Sequence, residues 1–197
     1  LLVGADTDVT GVLDIDDGAF DANGNTVTLI SNALGTAQMD DINAGSYLGD
    51  LTVQRHLPLT TDGWRELYSP VTSTALVDWQ DDGLIFSGFP TSDFPTFPFL
   101  NAYYYNEANA NGDKDDGWVA ASNVSTDFTS INNGYRIYMD NVNFDLSVTG
   151  APLQGDVIIT MNNDMDGIAT ENGWNLIGNP YAATIDWDII DAGNKVN

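Results

Sequence analysis

Carboxylates in alternation are the most direct chemistry this sequence offers. The stretch NNDMDGIATENG places Asn162, Asp164, Asp166 and Gly167 as in the first half of an EF-hand loop. The pattern then departs, because its twelfth position is Gly173 where that loop uses glutamate. NANGDKDDG offers Asn111, Asp113, Asp115 and Asp116, and DIDDGAFDANGN offers Asp14, Asp16, Asp17, Asp21 and Asn23. Alternating hard oxygens beside glycine suit the tight wrapping that Ca²⁺ prefers. The expected metal ligands are Asn111, Asp113, Asp115, Asp116, Asn162, Asp164 and Asp166, with Ca²⁺ the one cofactor the sequence points to. Solvated acidic turns are the alternative.

Other chemistry is thinly represented. The single histidine, His56, lies in VQRHLP, so a Ser-His-Asp triad or a histidine metal site would have to use it. Its apolar neighbours alternate as in a strand and Pro58 follows, which points to a structural role. The three arginines, Arg55, Arg65 and Arg136, all fall in strand-like segments. In so acidic a chain each is expected to be held by carboxylates; contact with an acidic sugar is the other reading. A carboxylate pair could hydrolyse a glycoside, but among 29 acidic residues a pair arises by chance. No nucleophile motif, P-loop or dinucleotide fingerprint appears.

Composition narrows the partners. The 29 acidic and 5 basic residues give a formal net charge of −24. A nucleic-acid surface needs clustered Lys and Arg, so nucleic acid is excluded as an expected partner, and anionic membrane surfaces are disfavoured likewise. Such a charge favours solubility at the cost of self-repulsion, which salt or divalent cations relieve. With no cysteine, neither a disulfide framework nor a thiolate metal site is available. No run of eighteen apolar residues exists, so no membrane insertion is expected. The chain opens at LLVGADTD and stops at DAGNKVN in mid-pattern, and reads as a trimmed piece of a longer polypeptide.

The elements that must position these residues are strands. Short alternating runs broken by Gly, Asn and Asp predict an all-β fold. Residues 1–57 form an N-terminal β extension, either a sandwich edge or the last coil of a β-solenoid, with runs at 11–15, 26–30 and 51–57. Asn23-Gly24-Asn25 is a turn signal between the first two. Pro58 marks a boundary. Residues 58–197 predict a jelly-roll-like β-sandwich, with strands at 65–69, 84–87, 99–105, 117–121, 134–139, 145–148, 156–161 and 173–178. LVDWQDD and TIDWDIIDAG each predict a helical turn capped by Asp or Thr. FSGFPTSDFPTFPFL, with three prolines and five phenylalanines, predicts an ordered, aromatic-anchored loop.

One phrase is written twice. GWRELYSPVTSTALVDW (63–79) and GWNLIGNPYAATIDW (173–187) both begin Gly-Trp, place proline six residues after the tryptophan and close on Asp-Trp. The simplest expectation is two equivalent core corners, with Trp64 and Trp174 buried. If instead an indole pair is exposed for sugar stacking, the ligand-facing residues are Trp79, Trp187, Arg65 and Arg136.

The order of VQRHLP, GWRELYSPV, VDWQDD, GYRIYM, GDVIITM and GWNLIGNPYAATIDW resembles a module of secreted, cell-surface proteins of the Bacteroidetes that are exported by the type IX secretion system. The resemblance covers most of the chain, and GWNLIGNPY with IDW is its most specific part. It implies an extracellular location more than an activity. The expected function is a structural, adhesion or carbohydrate-contacting module of a larger surface protein, meeting a glycan, another surface protein or the rest of its own polypeptide. The alternative is a polysaccharide-active hydrolase or lyase, or its accessory domain.

Overall fold

The computed structural model describes residues 1–42, 44–110, 112–125, 134–163 and 171–189. The fold is predominantly β, as the alternation predicts. Nine strands fill its first part: β1 (Thr7–Val9), β2 (Val12–Leu13), β3 (Asp17–Asp21), β4 (Val27–Leu29), β5 (Ser31–Asn32), β6 (Gly35–Thr36), β7 (Gln38–Met39), β8 (Ala44–Leu48) and β9 (Leu51–Pro58). Their pairing is mostly parallel. β1, β4 and β9 stack in one wall with Thr7, Val27 and Leu51 in register, β2 stacks on β7, and β3 on β8. A chain that returns to the same three walls in the same order is winding as a β-solenoid. Its inward residues Val27, Leu29, Leu51 and Val53 are all under 5% exposed. The predicted turn is present: Asn23 (φ 55°) and Gly24 (φ 77°) both take left-handed backbone. Asn25 then donates from Nδ2 to the carbonyls of Val3 (2.8 Å) and Ala22 (3.2 Å), tying one coil to the next.

The second part contributes β10 (Gly63–Leu67), α1 (Leu76–Asp81), β11 (Ala102–Tyr105), β12 (Trp118–Ala120), β13 (Tyr135–Met139) and β14 (Asn143–Gly150). β14 runs antiparallel to β9 along all eight residues, extending the solenoid wall to the order β1-β4-β9-β14. A second sheet has the order β10-β13-β11-β12. Its inward residues Ala102, Ile137 and Met139 join those of β9 and β14 in one core cluster with Leu76, Trp79, Leu84 and Phe86. The strand pairing does not establish a jelly-roll sandwich, because three strands of the first sheet are parallel. Pro58 ends β9, but no break in packing follows it, since the strand it ends belongs to both parts.

Side chains lock this join. Gln154 acts as a strand surrogate: Tyr47 N donates to Oε1 (2.8 Å) and Nε2 donates to Tyr47 O (3.0 Å). The free edge of β14 is covered in part by Asp82, whose carboxylate accepts from Ser147 N and Oγ. Ala75 is the N-cap of α1, and Asp78 reaches back to accept from Ala75 N (2.8 Å), so the aspartate works from inside the helix and not as its N-cap.

Three predicted strands are absent. Residues 84–87 supply only an isolated bridge from Ser87 to Phe94, and residues 156–161 and 173–178 pair with no described strand. Ile158 is 87% exposed, so alternation there meets no receiving sheet. In the second copy of the doubled phrase, Gly178 lies flat on Tyr68, where an added Cβ would fall 2.0 Å from the ring. It therefore meets an aromatic ring where the first copy meets β13. Trp174 is 53% exposed and Trp64 only half-buried, against the expectation of two buried corners, whereas Trp79 is 4% exposed. Trp79→Ala should therefore cost about 3–5 kcal/mol in denaturant unfolding, and Trp174→Ala less than about 1 kcal/mol.

Tyr47 supplies a pH probe of the solenoid. It is 3% exposed, stacks on Phe20 at 5.6 Å and donates its hydroxyl to Asp50 O (2.9 Å). Burial, helped by the Asp50 charge, pushes its pKa from 10.0 up to about 12. Because the folded state holds this proton more tightly, the contribution to stability is complete below pH 10.0 and is lost as pH rises through about 12. Burial also raises Tyr68, Tyr105 and Tyr181, so spectrophotometric titration should show several late phenolates, one fewer in Tyr47→Phe.

Candidate functional site

The second sheet carries large apolar or aromatic side chains on both faces. Period-2 alternation sends Ala102, Tyr135, Ile137 and Met139 into the core. The opposite side chains are Trp64 and Glu66 on β10, Arg136 and Tyr138 on β13, Tyr103 and Tyr105 on β11, and Trp118 on β12. Register aligns them across strands: Trp64 with Tyr138, Glu66 with Arg136, Arg136 with Tyr103, and Tyr105 with Trp118. Trp64, Tyr103, Trp118, Arg136 and Tyr138 are all partly exposed.

These rings pack edge to face. Trp64 lies 5.5 Å from Tyr138, 5.7 Å from Tyr103 and 6.0 Å from Phe99, and Phe99 lies 5.3 Å from Tyr138. Tyr105 meets Trp118 at 5.2 Å. Each such pair adds about 0.5–1.5 kcal/mol beyond burial, so the face is a rigid array. Arg136 sits between two indoles, with Cζ 5.4 Å from the Trp64 centroid and 4.9 Å from that of Trp118. Its Nε is buried without a hydrogen-bond partner, and Glu66 Oε1 stands 3.7 Å away, beyond hydrogen-bonding distance. The cation is thus held by the expected ion pair with Glu66 and, in addition, by the quadrupoles of two indoles.

The proline-rich loop extends the face. Polar groups tie it down: the buried Asn101 accepts from Ser87 N (2.8 Å) and donates to Ile85 O (2.8 Å), and the exposed Asp93 accepts from Phe86 N (2.8 Å). Gly88, at φ 86°, passes so close to Leu100 that a Cβ would lie 2.7 Å from its Cα. The loop buries Phe86 and Phe89 but leaves Phe94, Phe97 and Phe99 at 56%, 54% and 42% exposure. These three rings line a cavity of about 470 Å³ that also touches Tyr138. Through Phe99 and Tyr138, the cavity and the sheet face form one apolar surface.

The other predicted site residues are dispersed. Trp79 is 4% exposed in the core, so it offers no open platform for a sugar ring. Arg65 is on the opposite side of β10 from Trp64 and donates to the carbonyls of Trp64 (2.8 Å) and Thr61 (3.0 Å), so backbone, not a carboxylate, satisfies it. Trp187 is 53% exposed in the 3₁₀ turn Trp187–Ile189, where Asp186 caps Asp188 N (2.9 Å). Arg136 alone of the four belongs to the aromatic face. His56 is paired through Nδ1 with Asp145 (2.6 Å), its cross-strand neighbour, in the structural role its setting suggested.

Of the predicted metal ligands, Asn111, Asp164 and Asp166 lie outside the described residues. Asp113 caps a 3₁₀ turn by accepting from Asp115 N (2.9 Å), Asp116 lies in that same turn, and Asn162 is clasped by Asn175 through its backbone N and O (3.0 and 2.8 Å). The two loops adjoin: Lys114 pairs with Glu171 (2.5 Å), and the buried Glu107 accepts from Gly173 N (2.8 Å). Among the described residues, no three His, Asp or Glu side chains converge as a metal would require. In the N-terminal acidic stretch, Asp17 and Asp21 accept from the nearby backbone N of Gly18 and Asn23 (2.7 and 2.8 Å).

No family model, characterised protein or solved structure matches the chain. Among the described residues no helix is long and apolar enough to cross a membrane. The geometry of the aromatic face thus stands by itself. Replacing Arg136 with Gln should remove two cation–π contacts and cost about 1–2 kcal/mol. Near-ultraviolet circular dichroism should change with it, because both indoles lose their shared neighbour.

Proposed function

We propose that this chain is a non-catalytic contact module of an extracellular surface protein, and that its aromatic face binds carbohydrate. One observation carries the reading: Trp64, Phe99, Tyr103, Trp118 and Tyr138 form a partly exposed ring array around a guanidinium. Sugar rings present apolar C–H faces that stack on such arrays, while a guanidinium donates to hydroxyls or to a uronate carboxylate. A contiguous apolar surface on an otherwise strongly charged molecule marks an interaction site. The resemblance to Bacteroidetes surface proteins exported by the type IX system supports an extracellular setting, and so does a charge of −24, which is tolerable where salt is high. A polysaccharide-active enzyme is the less favoured alternative, because rings and not carboxylates dominate the face.

Binding of neutral and uronic-acid polysaccharides, measured by calorimetry, tests this. Wild type should bind at least one saturably, and Trp118→Ala should weaken that binding about tenfold or more, equivalent to roughly 1.4 kcal/mol. Tyr138→Phe, which keeps the ring, should leave stacking intact. Absence of any polysaccharide binding, or unchanged affinity in Trp118→Ala, would sink the proposal.

A further inference from the structure

A second concavity, of about 390 Å³, opens between β9–β14 and β10. One wall is β9, whose inward positions read Leu51, Val53, Arg55, Leu57. The first two are core residues at 0% and 3% exposure, and Arg55 follows on the same side, opposite Leu146, itself 3% exposed. A guanidinium thus occupies a position where the pattern calls for an apolar side chain. Arg55 lines the cleft but is itself exposed, and the partial burial around it lowers its pKa. Among the described residues Arg55 makes no hydrogen bond or ion pair, in a chain with 29 acidic residues. The one carboxylate lining the cleft, Glu66, lies toward Arg136.

The remaining walls are mostly apolar, including Trp79, Tyr68 and Leu146. The far side is the second copy of the doubled phrase, held in place independently of any ligand. Gly178 rests on Tyr68, Tyr181 donates to Gly155 O (2.7 Å), and Ala182 O accepts from Met39 N (2.8 Å). An apolar cleft lined by a single solvent-accessible guanidinium complements a small molecule that carries one carboxylate on an apolar body. Guanidinium meets carboxylate through two parallel hydrogen bonds, which an alcohol or amide cannot reproduce.

We propose that this cleft binds a small amphipathic monocarboxylate, with its carboxylate on Arg55 and its apolar body against Tyr68, Trp79 and Leu146. The site is separate from the aromatic face and does not depend on that face binding sugar. Octanoate and 3-phenylpropionate serve as probes, with octanol as the uncharged match, in calorimetric titrations. Wild type should bind an acid saturably and prefer octanoate to octanol about tenfold or more. Arg55→Gln should abolish the preference. Arg55→Met, which restores the apolar pattern of β9, should abolish it too while melting no lower than wild type, so lost binding cannot be ascribed to unfolding. Trp118→Ala should bind the acids normally, which separates this site from the aromatic face. A short peptide ending in leucine, with free or amidated C-terminus, distinguishes a free acid from a chain end, and neither form should compete. No saturable acid binding, equal binding by Arg55→Gln, or competition by the free-ended peptide would each overturn the proposal.

Discussion

The pairing of Leu51–Pro58 is the constraint on which the rest of the molecule depends. One edge of this strand continues a parallel solenoid wall through β4, and the other receives β14 over eight residues. Over Leu51–Val53 its backbone is paired on both sides, and over its whole length on the β14 side, so neither half could be removed without stranding backbone groups. Register is fixed as firmly as pairing. A slip of one residue would turn Thr52, Gln54 and His56 inward, expel Leu51 and Val53, and break the His56–Asp145 contact. The same register places Arg55 on the core side. That guanidinium therefore faces the cleft as a direct consequence of the strand that joins the two halves.

The second sheet shows a different balance. Its inner face supplies the core in the ordinary way, but its outer face carries rings where charged groups would normally stand. Exposed apolar area is unfavourable by about 25 cal/mol per Å² relative to burial, and the rings limit that by covering one another. Arg136 contributes both its stem and its charge to the same packing. The strong negative charge elsewhere on the chain offsets the association hazard of an open aromatic surface. A face built this way is stable alone and still complementary to another apolar surface.

Several of these features were legible in the chain itself, and the reasons for the others are physical. The β class, the Asn23-Gly24 turn, the ordered phenylalanine loop and the structural role of His56 all follow from local chemistry: alternation, positive-φ preference, proline spacing, strand context. The parallel winding was open to two readings, because pairing direction is a nonlocal property and only part of a repeat is visible. The strands expected at 156–161 and 173–178 have the right alternation but no neighbour to pair with, which periodicity cannot reveal. The aromatic face was missed because each half-pattern, W-x-E, Y-x-Y and R-x-Y, is unremarkable by itself. The available signal was that both faces of β11 and β13 carry large apolar or aromatic residues, and Trp118 escaped notice because it lies outside the doubled phrase.

That phrase, finally, resolves into one structural consequence. Both copies supply a glycine-tryptophan opening and a proline six residues later, so each yields an extended segment that turns at the same distance. What differs is the neighbour. The first copy finds β13 and becomes an edge strand, with Trp64 drawn into the ring array. The second finds the first copy's own Tyr68 and lies against it without pairing, leaving Trp174 in solvent. Similar sequences placed side by side but in unequal environments cannot form two equivalent corners. They form two walls, and the space between them is the cleft that Arg55 enters from the shared strand.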